Sequence, residues 1–292
     1  MGRLLVTGGA DSGARLFGAR AGPFFGSVFG LAAAALGWAW FEAGWVRLET
    51  VEVPLEGLPN ELAGLRIAHL SDFHLGVPGR GAVAVARAVD WVEERRPDLT
   101  LISGDLLTRA SGEPQLRDLV RRLPHCYAIL GNHDLAISRD PFAERTLLRE
   151  LEPATLLSDE GVTIAVRGRR VYVAGADPRS RWVRKRRQPA ELAVPREEAE
   201  LRILIAHYPR LVDELPPGAF DLVVAGHMHD GQICLPYPGG KLRFAHLGAR
   251  YTRGVYRRPG GVLHVSAGLG TTFVPFRFAA RPEATELLLQ PE

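Results

Sequence analysis

Residues 65–76 read Leu-Arg-Ile-Ala-His-Leu-Ser-Asp-Phe-His-Leu-Gly, a short apolar run that ends in the polar block Ser71-Asp72-Phe73-His74. A run of this length before a polar loop predicts a buried β-strand at residues 65–70. Loops at the carboxyl ends of strands are where α/β folds present ligand-binding side chains. Asp72 and His74 are therefore the first candidates for chemistry in this chain.

The same arrangement recurs four times, and each polar block follows a short apolar run. The blocks are Gly104-Asp105, Gly131-Asn132-His133-Asp134, Ala206-His207 and Gly226-His227-Met228-His229. Their oxygen and imidazole donors, with no thiolate, suit divalent ions of the Mn, Fe or Zn class. A carboxylate such as Asp105, which follows a turn-forming glycine, can bridge two cations. We therefore expect two divalent metal ions, with the candidate ligands Asp72, His74, Asp105, Asn132, His207, His227 and His229.

Apolar spacing predicts helices at residues 82–95, 115–123 and 141–151, with strands at 99–103 and 126–130 between them. Later apolar runs predict strands at 162–167, 170–174, 203–206, 222–225, 262–266, 272–278 and 285–289. Alternating strands and helices followed by hairpins indicate two mixed β-sheets packed together with helices outside. The expected fold class is α/β, an α/β/β/α sandwich.

Residues 24–41 contain no charged side chain, and Arg3, Arg15 and Arg20 precede them. A helix of this length spans roughly 27 Å, close to the thickness of a bilayer's hydrocarbon layer. We interpret the segment as a single-pass transmembrane helix or signal anchor that leaves residues 1–23 in the cytoplasm and the large domain outside. A cleaved signal peptide and a buried soluble helix are the alternatives. Residues 42–64 are interpreted as a connector and 65–292 as the catalytic domain.

Composition excludes several classes of protein. A hydrophobic content of 46% is too high for a disordered chain, and two cysteines are too few for a disulfide framework. The densest basic run contains Arg184, Lys185 and Arg187, which are candidate substrate-binding residues. It is either a solvated surface or a contact for anionic lipid headgroups or an acidic substrate. One short cluster without a recognition motif argues against nucleic acid as a partner.

In chain order the five blocks form D-x-H, G-D, G-N-H-D, H and G-H-x-H, which resembles the signature of the calcineurin-like metallophosphoesterase superfamily without a substitution. The resemblance covers about Leu48 to Leu289. Residues 65–76, 231–236, 268–270 and 275–278 also resemble the membrane-associated bacterial phosphodiesterase branch. Asp230 departs from that branch, which usually has glycine after the last histidine.

The resemblance implies which residues bind each ion, and general chemistry suggests the reaction that follows. One ion is expected to take Asp72, His74, Asp105 and His229, and the other Asp105, Asn132, His207 and His227. A hydroxide that bridges the ions would attack phosphorus in line with the leaving oxygen. His133 is expected to face the phosphate and stabilise the transition state or protonate the leaving group, and Asp134 to orient its imidazole.

We therefore expect a metal-dependent phosphoric ester hydrolase at the cell membrane. Its substrate would be a phosphodiester or pyrophosphate that is lipid-linked or membrane-proximal. A UDP-2,3-diacylglucosamine-type pyrophosphatase of lipid A assembly is one alternative, although that substrate is cytoplasmic and the arginine bias places the domain outside. A non-catalytic metal-dependent interaction module and a nuclease are the others.

Overall fold

A computed structural model describes the backbone of residues 21–146, 148–180 and 187–292, with side chains described from residue 29 onward in these ranges. The chain divides into two compact units, Met1–Trp38 and Ala39–Glu292. The second unit contains both β-sheets and all candidate metal ligands.

Helix α1 covers Ala21–Glu42, the region predicted to cross a membrane. Within the part of the chain that the structure describes, no helix combines the length and apolar character that a membrane span requires. The predicted transmembrane helix at residues 24–41 is therefore not supported by the structure.

The first sheet is mixed and has six strands. In sheet order they are β1 (Arg47–Leu55), β14 (Glu283–Pro291), β2 (Arg66–Leu70), β3 (Leu99–Ile102), β4 (Cys126–Ala128) and β5 (Thr155–Leu156). Strands β2 to β5 are parallel, whereas β14 is antiparallel to β2 and parallel to β1. Strand β1 lies within residues 42–64, the predicted connector; it joins the sheet edge and buries Val53 and Leu55.

The second sheet is also mixed and six-stranded. In sheet order it contains β12 (Gly254–Arg258), β13 (Gly261–Val265), β9 (Leu222–Ala225), β8 (Leu201–Ile205), β7 (Arg169–Gly175) and β6 (Glu160–Val166). Strands β10 (Cys234–Tyr237) and β11 (Gly240–Arg243) form a separate antiparallel hairpin. The four strands β13, β9, β8 and β7 are parallel, so the loops that follow β8 and β9 leave the same edge of the sheet.

The sheets pack face to face over a core of aliphatic side chains such as Ile67, Leu101, Ile203 and Val224. Helices α2 (Gly81–Arg95) and α3 (Glu113–Val120) cover the outer face of the first sheet. Short 3₁₀ helices, among them Pro209–Glu214, pack on the outer face of the second sheet. Two packed mixed sheets flanked by helices confirm the predicted α/β architecture.

Two predicted elements are wrong, and long-range hydrogen bonds explain both. In the predicted helix at 141–151, the backbone N–H groups of Glu144 and Thr146 donate to the carbonyls of Thr108 and Asp134 instead of forming helical bonds. In the predicted strand at 272–278, the Gln232 side chain bonds the backbone of Thr272 and of Val274, which replaces a β-ladder.

Candidate metal centre

Loops at the carboxyl ends of strands from both sheets carry the candidate ligands. The first sheet contributes the loops after β2, β3 and β4, and the second contributes the loops after β8 and β9. Because neighbouring parallel strands point the same way, these loops lie at one edge of the sandwich. The structure brings together all seven predicted ligands there: Asp72, His74, Asp105, Asn132, His207, His227 and His229.

Five of these seven residues have a left-handed backbone. Their φ values lie between 48° and 71°, in Asp72, His74, Asp105, His227 and His229. Such a conformation costs a non-glycine residue roughly 1–3 kcal/mol and persists only where surrounding contacts impose it. Repeated strain at adjacent strand ends is typical of a functional site, since these turns direct side chains towards a common point.

Two glycines of the blocks permit a close approach between the carboxylates and the backbone. A Cβ on Gly131 would lie 2.0 Å from Asp105 Oδ1, and one on Gly226 would lie 2.3 Å from Asp72 Oδ2. Any larger residue would push these carboxylates away. The glycines are therefore needed for packing at the site.

The donor atoms form two groups that share a carboxylate. In the first, His229 Nε2 lies 3.1 Å from His74 Nε2 and 3.5 Å from Asp72 Oδ1. In the second, His207 Nε2 lies 3.2 Å from His227 Nδ1 and 2.7 Å from Asn132 Oδ1. Asp105 Oδ2 stands between the groups, 3.5 Å from His74 Nε2 and 3.4 Å from His207 Nε2.

The carboxylates and imidazoles of the metal-free donor set shift each other's pKa values. Burial opposes a charge on His207, but Asp105 outweighs it and raises the pKa of His207 to about 9. The pKa of Asp105 is held well below its usual range, since neighbouring histidines, His207 first, overcome the effect of burial. Burial and the charge of His207 lower the pKa of His227 to about 3. The Asp105 carboxylate thus stabilises a proton on the His207 imidazole in the metal-free protein. A divalent cation bound at the same point would replace that proton.

Polar neighbours orient the ligand imidazoles. His207 Nδ1 donates to the Ser103 carbonyl at 2.9 Å, which leaves Nε2 directed at the site, and His74 Nδ1 lies 3.0 Å from Thr108 Oγ1. Such contacts fix ring orientation in metal sites. The sequence motifs did not indicate Ser103 or Thr108, although both lie within three residues of Asp105.

Arg277 is a fully buried cation beside the site that sequence reasoning also missed. Its guanidinium donates to the carbonyls of Ala267, Gly270 and Ala280, and Nη2 lies 3.2 Å from His229 Nδ1. It therefore holds the loop after β13 against His229. The only sequence signal was its place in residues 275–278.

His133 lies beside the ligands and has one ring nitrogen without a hydrogen-bond partner in the described part of the chain. Its Nε2 lies 2.9 Å from Ser138 Oγ and 3.2 Å from Thr272 Oγ1. Its Nδ1 is buried and is without a hydrogen-bond partner among the described residues. The ring also lies within reach of the donor atoms of His74 and Asp105. An orphaned buried nitrogen beside the ligands marks where a substrate or ligand atom would bind.

Asp134 does not make the contact that was predicted for it. Its carboxylate accepts hydrogen bonds from the backbone N–H groups of Leu106, Leu107 and Gly131. These bonds tie the loop after β3 to the loop after β4. The carboxylate nearest the His133 ring is instead Asp140, whose Oδ2 lies 4.0 Å from Nδ1 and accepts the Thr272 hydroxyl at 2.8 Å.

The predicted substrate-binding residues are not part of the described site. Arg184 and Lys185 lie outside the described residues. Arg187 is exposed, and its guanidinium donates to the Glu191 carbonyl at 3.0 and 2.6 Å. Arg187 is absent from the described residues that line the cavity at the metal centre.

Asp230, the departure from the branch pattern, anchors the β10–β11 hairpin. It has a left-handed backbone with φ 50°, a conformation that aspartate tolerates better than most residues. Its carboxylate accepts Arg243 Nε at 3.0 Å and also pairs with Lys241. The aspartate thus supplies two ion pairs that a glycine at this position would not.

A cavity of about 830 Å³ opens onto the candidate ligands. Beyond the ligands, its lining is largely apolar or aromatic and includes Ile137, Tyr208, Phe244, Phe273 and Val274. Phe244 and Phe273 are 55% and 50% exposed, so they form part of the cavity mouth. The site therefore combines a charged floor with an apolar rim.

Comparison with known proteins places the chain among phosphoesterases. The model of the family described as calcineurin-like phosphoesterase matches residues 65–231. The uncharacterized metallophosphoesterase YkoQ of Bacillus subtilis is 26% identical, over 82% of this chain and 89% of that protein. The phosphodiesterase YaeI of Escherichia coli is 28% identical, over 85% of this chain and 90% of that protein.

A vertebrate relative is similar over only part of its length. The transmembrane protein with metallophosphoesterase domain of Danio rerio is 31% identical over 82% of this chain. The match spans 56% of the vertebrate protein.

Proposed function

Since this chain belongs to the calcineurin-like phosphoesterase family and is a metal-dependent phosphoester hydrolase, we propose that it cleaves a phosphodiester or pyrophosphate bond in a substrate with a lipid-like apolar group. The observation that carries this proposal is the apolar rim of a cavity whose floor includes four of the seven converging metal donors. The name of the E. coli relative, a phosphodiesterase, supports the diester.

Two divalent ions of the Mn, Fe or Zn class would be held by the two donor groups, with Asp105 shared between them. When bound, such ions lower the pKa of coordinated water and neutralise charge on the phosphate oxygens. The chain's own part is to keep its donors buried and fixed in orientation. Complete retention of the ligands argues against the non-catalytic interaction module.

His133 would exchange a proton with the substrate at Nδ1. The Thr272 hydroxyl gives its own proton to Asp140, so its oxygen accepts from His133 Nε2–H. Nδ1 then has a lone pair in the neutral ring, and in the protonated ring its N–H would hydrogen-bond a phosphate oxygen and pass the proton to the leaving oxygen, which returns the ring to its neutral form. Burial lowers the pKa of His133 below its usual range, although the carboxylates of Asp105 and Asp140 oppose this effect, so a protonated ring would readily give up its proton.

Hydrolysis of model substrates by the purified full-length chain with Mn²⁺ tests the bond type. We expect turnover of bis-p-nitrophenyl phosphate to exceed that of p-nitrophenyl phosphate, and His229→Ala to abolish both. Preference for the monoester would contradict the proposal. Equal activity of the His229→Ala variant would show that the metal centre is not responsible.

The apolar group is tested by lengthening the substrate and changing the rim. Phosphodiesters with two-carbon and twelve-carbon chains, and UDP-2,3-diacylglucosamine, are compared in the wild type and in a Phe244→Ser/Phe273→Ser variant. Burial of one large apolar side chain contributes about 1.5–3 kcal/mol, so kcat/KM for long-chain substrates should fall tenfold or more. Leu235→Ser, an exposed residue of the hairpin outside the cavity lining, is the matched control. Equal losses in both variants, or no preference for the long chain, would contradict the proposal.

We further propose that the enzyme works at the membrane surface with its catalytic domain extracytoplasmic. The name of the Danio rerio relative and the exposed rings of Trp40, Phe41 and Trp45 support this location. A topology reporter fused after Glu292 tests it. Activity of a reporter that functions only in the cytoplasm would contradict the orientation, and recovery of the protein in the soluble fraction would contradict the membrane location.

A further inference from the structure

A continuous chain of buried hydrogen bonds runs from the candidate ligand Asp72 into the core between the sheets. Ser71 Oγ donates to Asp72 Oδ2 at 2.5 Å, and Ser103 Oγ donates to Ser71 Oγ at 2.7 Å. His69 Nε2 lies 2.9 Å from Ser103 Oγ, and His69 Nδ1 lies 2.7 Å from His264 Nδ1. All five side chains are at most 1% exposed. Nothing in the proposed reaction uses either histidine.

We propose that His69 is a positioning residue of the metal centre, which acts through Ser103 and Ser71 to fix the carboxylate of Asp72. The inference rests on the metal centre of the proposed function but not on its substrate. It concerns only the orientation and position of the Asp72 carboxylate.

The ionised carboxylate of Asp72 sets the direction of every hydrogen bond in the series from Asp72 to His264. The ionised Asp72 can only accept hydrogen bonds, so Ser71 must donate its single hydroxyl proton to it. Ser103 must then donate to Ser71, and His69 must donate from Nε2–H to Ser103. A neutral His69 has its lone pair at Nδ1, which accepts from His264 Nδ1–H. Each proton therefore points towards Asp72, and each group has the one tautomer or rotamer that its neighbour requires.

This direction decides how Asp72 faces the cation. Ser71 occupies Oδ2, while Oδ1 lies 3.5 Å from His229 Nε2 among the ligands. The backbone N–H of His227 contacts both oxygens at 3.1 Å and adds a second restraint. Loss of the His69 donor would free the Ser103 hydroxyl to rotate. The Ser71 oxygen would then lose the hydrogen bond that it accepts from Ser103. The carboxylate would then be less well ordered for metal binding.

The same contacts join the two sheets at the site. His69 lies on β2 of the first sheet and His264 on β13 of the second. The first donor group contains Asp72 and His74, which follow β2, and His229, which follows β9. Strand β9 is the neighbour of β13 in the second sheet. The histidine pair thus sets the spacing of two strands whose ends supply ligands to one ion.

Metal binding in the absence of substrate tests the proposal. His69→Phe keeps a ring but removes both hydrogen bonds, and His69→Gln restores a donor that reaches Ser103. Ile67→Ala is the matched control, since Ile67 lies two residues earlier on the same face of β2 and is equally buried. Each full-length variant is titrated with Mn²⁺ by calorimetry, and its unfolding temperature is measured after metal removal.

We expect His69→Phe to weaken Mn²⁺ at one of two sites by about 10- to 100-fold, the range for residues that orient metal ligands. His69→Gln should recover most of the affinity. Ile67→Ala should lower the unfolding temperature and leave the affinity unchanged. Wild-type affinity in His69→Phe, no recovery in His69→Gln, or an equal loss in Ile67→Ala would overturn the proposal. If His69→Phe does not fold, Ser103→Ala is used instead, because it breaks the hydrogen-bond series between His69 and Ser71. It is judged by the same criteria.

The wild type separates this inference from the proposed function. A wild-type protein that binds fewer than two Mn²⁺ ions would contradict the two-ion centre. Two bound ions in the wild type with unchanged binding in the variant would contradict the role of His69 alone.

Discussion

His133 and Asp134 are neighbours in one block, yet their surroundings give them different tasks. Three backbone N–H groups occupy the carboxylate of Asp134, so it holds two loops together. The His133 ring is fixed at Nε2 by two hydroxyl groups, and its buried Nδ1 is without a hydrogen-bond partner among the described residues. The two residues are therefore expected to respond differently to substitution.

His133→Asn should lower kcat for bis-p-nitrophenyl phosphate by about 10²- to 10⁴-fold, the usual contribution of a positioned proton donor. The number of bound Mn²⁺ ions should stay the same, because the donors of both groups remain. Steady-state kinetics and metal analysis check this. A kcat within a few-fold of the wild type, or the loss of one ion, would refute the assigned role.

Asp134→Asn should instead lower the free energy of unfolding by about 1–3 kcal/mol, since an amide has one acceptor oxygen where the loops need two. Urea unfolding of the metal-free protein measures this loss. Asp118→Asn, on an exposed position of α3, is the control and should change stability by less than about 0.5 kcal/mol. Turnover per folded molecule should fall far less than in His133→Asn, and an equal fall would restore the orienting role predicted from sequence.

At the scale of elements, the β10–β11 hairpin depends on a side chain outside it. The hairpin has only four residues in each strand and pairs with neither large sheet. A two-stranded ribbon of this length is marginal by itself. Asp230 compensates, because its carboxylate binds Lys241 and Arg243 on β11. The hairpin leads directly into Phe244 at the cavity mouth.

Asp230→Asn should loosen this hairpin, since it keeps the shape and the left-handed backbone but removes the charge. A loss of about 1 kcal/mol from the two ion pairs corresponds to roughly fivefold faster local opening. Hydrogen exchange of peptides covering residues 234–243 measures the opening, with α3 peptides as the internal reference. Unchanged exchange in the hairpin would show that the ion pairs do not hold it.

At the scale of the whole molecule, the metal centre exists only because two sheets pack with their strand ends aligned. Each sheet alone supplies an incomplete donor set: the first gives Asp72, His74, Asp105 and Asn132, and the second gives the remaining histidines. The aliphatic core and the His69–His264 contact hold the sheets in register. Site geometry is thus linked to global stability.

Global stability should depend on pH through His264. Burial lowers its pKa from 6.5 to about 4, so the unfolded chain binds more protons between these values. Stability from this residue is present above pH 6.5 and is lost as the pH falls to 4, by roughly 3 kcal/mol. His264→Phe should remove that slope. Urea unfolding of both metal-free proteins from pH 4.5 to 7.5 checks this, and parallel curves would contradict it.

Much of the fold followed from local patterns. Strand β9 has the predicted bounds, and β2, β3, β8 and α2 lie within a few residues of theirs, because buried strands and amphipathic helices show a clear periodicity. The errors occur where distant groups take over the backbone. Residues 141–151 lose their helical bonds to Thr108 and Asp134, and residues 272–278 bond the side chain of Gln232. None of these three partners is adjacent in sequence to the segment that it binds.

The sequence by itself determined the chemical nature of this protein: the donors, their order and the strand ends that carry them are local patterns of residue type. Only the tertiary structure decided what surrounds them. It placed the Asp134 carboxylate between two loops and brought two hydroxyl groups to His133 Nε2. It also buried Arg277 against His229 and linked His69 to Asp72 by hydrogen bonds through two serines. These contacts link residues far apart in the chain, and their hydrogen-bond directions depend on which partners packing brings within reach.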